Sequence, residues 1–112
     1  MYDAENVFAK ILKAEIPCKK IYEDDTILSF YDIHPKSKVH ALVIPKMEVV
    51  DFSDFVSQAT PLQVADFFKK SSYIASEILN LKSFRLLANN GKESGQEVFH
   101  FHLHILGWLQ FT

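Results

Sequence analysis

The chain has 112 residues, 48% hydrophobic and 13% aromatic, with ten phenylalanines. That composition fits a single globular domain spanning residues 1–112 and excludes a disordered chain. A formal charge of −2, with lysines scattered rather than clustered, argues against binding along a nucleic-acid backbone, and the lone Cys18 leaves no disulfide and no Cys-x-x-Cys metal half-site.

The N-terminal residues Met1 to Asn6 are acidic and polar, without the cationic and apolar runs of a secretion signal. The longest uncharged stretch, Val98 to Thr112, is shorter than the roughly 20 residues that span a bilayer. A cytoplasmic protein without membrane contact is expected. From Asn6 to about Glu15 the residues Val7, Phe8, Ile11 and Leu12 recur at helical spacing, with Asn6 as N-cap and Pro17 as terminator. Lys19 to Glu23 and Thr26 to Asp32 read as a hairpin around Asp24-Asp25, followed by a loop over 33–38.

Val39 to Ile44 is a buried strand stopped by Pro45, with His40 on the face of Leu42 and Ile44. Residues 46–58 are ambiguous, with a short helical turn near Val49 to Phe55 as the only signal. Thr60-Pro61-Leu62-Gln63 has the elements of a capping box, opening a long helix whose stripe runs from Val64 to Leu79 and which Asn80 closes. Arg85 to Asn89 is a strand, and Asn90 to Gln96 is a flexible connection. Five strands and two helices in segregated order predict an α+β fold with an antiparallel sheet.

The last strand, His100-Phe101-His102-Leu103-His104-Ile105-Leu106, carries the chemistry. Alternation puts three imidazoles on one face and Phe101, Leu103 and Ile105 on the other. The outer two histidines lie about 13 Å apart along a strand, too far to share one ion with Zn–N bonds of about 2 Å. A metal site would need an outside ligand such as His40, and no metal or cofactor is expected. Neutral imidazoles at pH 7 suit nucleophilic attack and charge stabilisation, with the middle ring flanked by the other two. Asn89, Gln96, the amides of the glycine-containing loop and the outer histidines are the nearby donors for phosphate oxygens.

His100 to Leu106 also resembles, position for position, the His-φ-His-φ-His-φ-φ signature of the histidine triad (HIT) family. The resemblance extends through Ala14-Glu15-Ile16-Pro17, Phe30-Tyr31-Asp32-Ile33, Leu42-Val43-Ile44-Pro45-Lys46, Asn89-Asn90-Gly91 and Gly95-Gln96, and is closest to the Hint branch. It implies a HIT-like fold with one long and one short helix, a homodimer whose sheets join into ten strands, and hydrolysis of purine nucleoside 5′-phosphoramidates. His102 would be the nucleophile, with His40, His100 and His104 around the phosphate. Asp32 would bind ribose; Phe8, Ile16, Ile21, Phe30, Ile33 and Leu42 would surround the base; and Asn89, Gly95, Gln96 and the amide of Val98 would face the phosphate.

Glu97 stands where that branch commonly carries a small hydroxyl residue and is left out of the site, because a carboxylate repels phosphate. Ala9 and Asn6 stand where a zinc-binding variant needs cysteines, and His34 is assigned no role. The tail Trp108 to Thr112 is shorter than the branch's C-terminal segment, which leaves amine specificity open. Dinucleoside polyphosphate hydrolysis of the Fhit type, nucleotidyl transfer and non-catalytic nucleotide binding are the alternatives. The transferase branch has glutamine in place of the third histidine, and His104 speaks against it.

Overall fold

The computed structural model describes residues 1–108, so Leu109 to Thr112 of the tail lie outside the described residues. In chain order the elements are α1 (Val7–Leu12), β1 (Lys20–Glu23), β2 (Ile27–Tyr31), β3 (Val39–Pro45), α2 (Phe52–Gln58), α3 (Pro61–Tyr73), β4 (Ser83–Leu87) and β5 (Leu103–Trp108). The strands form one antiparallel sheet in the order β1-β2-β3-β5-β4, the expected α+β architecture. Among the described residues, no helix is long and apolar enough to cross a membrane.

Alternation along β3 and β5 divides the apolar residues between two layers. Ala41, Val43, Phe101, Leu103 and Ile105 join Phe55, Phe67, Ile74 and Ala75 in the core beneath α2 and α3. Phe101 stacks on Phe55 with centroids 5.0 Å apart and meets Phe67 at 5.3 Å. Burying one such ring is worth about 1.5–3 kcal/mol, so Phe101 firmly fixes the segment between His100 and His102. On the opposite face Phe8 of α1 packs with Leu28, Phe30, Leu42 and Ile44.

Several boundaries differ from the sequence reading. The first helix ends at Leu12: Ala14 takes φ +61°, and the bonds Ala14 N–H to Ile11 O and Glu15 N–H to Lys10 O close a Schellman motif. The ambiguous region contains a second short helix, α2, capped by the Asp51 side chain accepting from the Asp54 amide. The capping box of Thr60 and Gln63 is formed in both directions, and α3 continues through a π-helical turn over Ile74–Ile78 to Asn80 at φ +58°. β4 lies two residues earlier than expected, because its register with β5 runs from Ser83 opposite Trp108 to Leu87 opposite His104.

β5 itself begins only at Leu103. The preceding stretch bonds to the end of β3 and the loop after it: Phe101 N–H donates to Val49 O at 2.9 Å, and the His100 ring bonds to Pro45 O. Alternation still carries Phe101 into the helix-side core and His102 to the opposite face, but His100 is turned inward and fully buried.

Candidate active site

The face of the sheet away from α3 carries a cavity of about 700 Å³, lined from β2, β3, β5, α1 and the loops at 16–18, 32–36 and 95–98. That volume fits a small-molecule ligand rather than a macromolecular surface. His104 pairs with Leu42 and His40 with Leu106 across β3 and β5, which sets the two histidines diagonally on one face. His102 immediately precedes the strand on the same side. Ring centroids are 5.0 Å apart for His102 and His104 and 5.1 Å for His40 and His104.

The hydrogen bonds fix where each ring carries its proton. His102 Nδ1 lies 2.7 Å from the carbonyl of His100, and a carbonyl only accepts, so Nδ1 is protonated and the Nε2 lone pair is free. The Lys36 backbone N–H donates to His40 Nδ1 at 3.0 Å, which puts the His40 proton on Nε2. That N–H donates in turn to His104 Nδ1 at 2.9 Å, leaving His104 protonated at Nε2. The site therefore sets a bare ring nitrogen beside a ring N–H donor. Phe8 holds the His102 ring edge-on, with centroids 5.0 Å apart at 89°.

Burial keeps these rings neutral by penalising the charged form. It lowers the pKa of His102 and His40, with Asp32 partly offsetting the shift in both. Burial, with added repulsion from His102 and His40, takes His104 down to about 4. The Asp32 carboxylate follows β2; one oxygen accepts from the His34 amide at 2.8 Å and the other is 3.5 Å from His40 Nε2.

Asp32, His40 and His104 bring three potential metal-ligand atoms within 4.8 Å of one another. The hydrogen bonding does not suit an ion. A metal needs the Nε2 lone pair of His40, whereas metal-binding histidines donate their other N–H to an acceptor. Here the other nitrogen receives the Lys36 amide instead.

Phe8, Ile16, Phe30, Asp32, Ile33, His40, Leu42, Asn89, Gly95, Val98, His102 and His104 all line the cavity. Three sequence-predicted site residues do not. Ile21 packs against the helix-side core, because the register slips between Lys20 and Tyr22 and the bulge turns it over. Gln96 is buried with its polar atoms satisfied by backbone groups: its amide donates to Val50 O and Val98 O, and its carbonyl accepts from Gly91 N–H. His100 lies behind His102, and burial takes its pKa down to about 4.

The cavity also takes in residues outside that set, among them His34, Lys36, Cys18 and Glu97. His34 and Lys36 could have been read from the sequence, since a short loop joining Asp32 to the strand of His40 must border both. Glu97, which the sequence reading left out of the site, is exposed and is among the residues lining the cavity.

A two-layer α+β chain with an antiparallel sheet and a histidine-lined cavity on its open face is the class of protein that fold and site define. A family model described as HIT domain matches residues 13–110. An uncharacterized HIT-like protein of Rickettsia prowazekii is 49% identical over 108 residues, covering 96% of this chain and 90% of that one. A solved structure described as Hit Like Protein superposes with a TM-score of 0.83 at 48% identity, covering 92% of this chain and 98% of its own. A HIT family hydrolase from Clostridium thermocellum does so at 0.81 and 34%, covering 96% and 94%. The chain belongs to the HIT family.

Proposed function

We propose that this chain is a nucleotide hydrolase that cleaves purine nucleoside 5′-phosphoramidates, or related adenylates, through a nucleotidyl-histidine intermediate. The observation that carries this reading is the pairing of tautomers: a bare Nε2 on His102 next to the Nε2–H of His104. The hydrolase among its relatives supports it.

In the first step His102 Nε2 attacks the α-phosphorus, a P–N bond to the ring forms and the bond to the amine breaks. The amine takes up one proton from solvent as it leaves. The His104 N–H stabilises charge on the non-bridging oxygens, with Asn89 and the Gly95 and Val98 amides on the same side. Water then attacks phosphorus, the ring is released and one proton returns to solvent with the nucleoside monophosphate. Asp32 holds the ribose hydroxyls, while Phe8, Ile16, Phe30, Ile33 and Leu42 enclose the base. The active form is a homodimer.

His102→Ala tests the reading. Monophosphate release from an adenosine phosphoramidate should drop at least 1000-fold, the order expected when a nucleophile is removed, while binding of the monophosphate persists. Turnover near the wild-type level would remove His102 from the role of nucleophile. A wild-type protein that binds the monophosphate but hydrolyses no phosphoramidate, acyl adenylate or dinucleoside polyphosphate would favour a binding module.

A further inference from the structure

His102 owes its free Nε2 to one acceptor, the carbonyl of His100, and everything that holds that carbonyl still bears on the orientation of the ring. The peptide unit joining His100 and Phe101 is tied at both ends. Its carbonyl accepts from His102, and its N–H donates to Val49 O at 2.9 Å. The remaining freedom is rotation of the His100 side chain, which is fully buried.

Both nitrogens of that ring are used. Nε2 lies 2.8 Å from Pro45 O, an acceptor, so Nε2 carries the proton and Nδ1 offers a lone pair. The lone pair meets the hydroxyl of Tyr2 at 2.6 Å, 98 residues away in sequence, and the two rings meet edge-on with centroids 5.5 Å apart. Tyr2 must therefore be the donor. A turn brings it there: Glu5 N–H donates to Asp3 Oδ1, and both the backbone and side-chain amides of Asn6 donate to Asp3 O. Asn6 then caps α1, whose Phe8 braces the His102 ring directly. Tyr2 lies ahead of residues 13–110, the part of the chain matched by the family model.

We infer that Tyr2 is a positioning residue for the proposed reaction: its hydroxyl on Nδ1, opposite the Pro45 carbonyl on Nε2, clamps the buried His100 ring and so steadies the residue whose carbonyl presents His102 Nε2 to phosphorus. The N-terminal segment thus supports the nucleophile in two ways, through Tyr2 behind it and Phe8 beside it. Tyr2 acts only through His100. Its removal weakens orientation without touching the groups that would bind the nucleotide, and loss of orientation is felt in the chemical step. This inference rests on the reading of His102 as nucleophile.

Tyr2→Phe keeps the ring contact and deletes the donor. On adenosine phosphoramidate kcat should fall about tenfold with KM unchanged, the split of an interaction needed in the transition state rather than for binding. In ¹⁵N-edited spectra the wild-type protein should show His100 protonated at Nε2 and His102 at Nδ1, each as a single tautomer. In the variant the His100 Nδ1 signal should shift as it loses its donor, with Nε2 still protonated toward Pro45 O, and His102 should lose its single form. Unchanged His102 signals, or a kcat within twofold of wild type, would overturn the inference. So would a wild-type His100 protonated at Nδ1, a measurement that needs no variant. If the wild-type protein turned over no nucleotide, the catalytic reading would fail separately, and loss of the single His102 tautomer in Tyr2→Phe would still support the positioning of the ring.

Discussion

At the scale of single residues, the histidines that build the site also tie the stability of the protein to pH. His100 is neutral in the folded chain down to about pH 4, because burial disfavours its charged form. In the unfolded chain the same ring takes up a proton near 6.5. Above pH 6.5 neither state binds the proton and stability is full. As the pH falls from 6.5 towards 4 the unfolded state binds more protons than the native state, so stability declines, and below about 4 the loss levels off. His100 alone accounts for a loss on the order of 3 kcal/mol across that window, from about 1.4 kcal/mol per unit. Urea midpoints measured at pH 7.5, 6, 5 and 4.5 should fall progressively, and a flat profile would mean that His100 is charged or solvated in the folded state. The histidine spacing made His102 and His104 readable in advance, since strand alternation continues through both. It could not reveal that His100 turns inward, because Pro45 and Val49, which hold that turn, are more than fifty residues away and no local pattern reports the contact.

At the scale of elements, local signals succeeded where they were self-contained. Thr60, Pro61 and Gln63 satisfy the first amides of α3 among themselves, so the sequence motif and the observed cap coincide. The end of α1 shows the opposite case. Ala14 and Glu15 are good helix formers and extend the expected helix, yet Ala14 sits at φ +61° in the left-handed position that glycine fills best. An L-residue with a Cβ pays roughly 1–2 kcal/mol there, and the closing bonds from Ala14 and Glu15 persist despite that cost. Ala14→Gly should therefore stabilise the protein by about 0.5–1 kcal/mol, visible as a rise of a few degrees in Tm. The same change in a helix interior would destabilise by a similar amount, so the sign of the shift distinguishes the two conformations. The position of β4 likewise depends on context: Arg85 to Asn89 reads as the strand, but pairing with β5 sets it at Ser83 to Leu87.

At the scale of the whole molecule, the two edges of the sheet differ. β1 is blunted by a bulge and by charge, with Lys20 and Lys46 both paired to Glu23. β4 carries one charged residue, the exposed Arg85, and its apolar side chains are open: Leu86 is 50% exposed and Leu87 38%, and Trp108 on the adjacent strand is 46% exposed. An edge with exposed apolar side chains invites pairing with another strand, and a second copy of the chain offers an identical one. The proposed homodimer is accordingly assigned to β4, which would join two five-stranded sheets across a twofold axis. Leu87 also lines the cavity, so the partner would lie close to each site. Wild-type protein at micromolar concentration should scatter light with the mass of two chains. Leu86→Lys places charge on the pairing edge and should give the mass of one chain with an unchanged far-ultraviolet circular dichroism spectrum. A monomeric wild type would refute the dimer. A Leu86→Lys protein that stays dimeric would move the interface away from β4, since a lysine on a sheet edge opposes pairing with another strand.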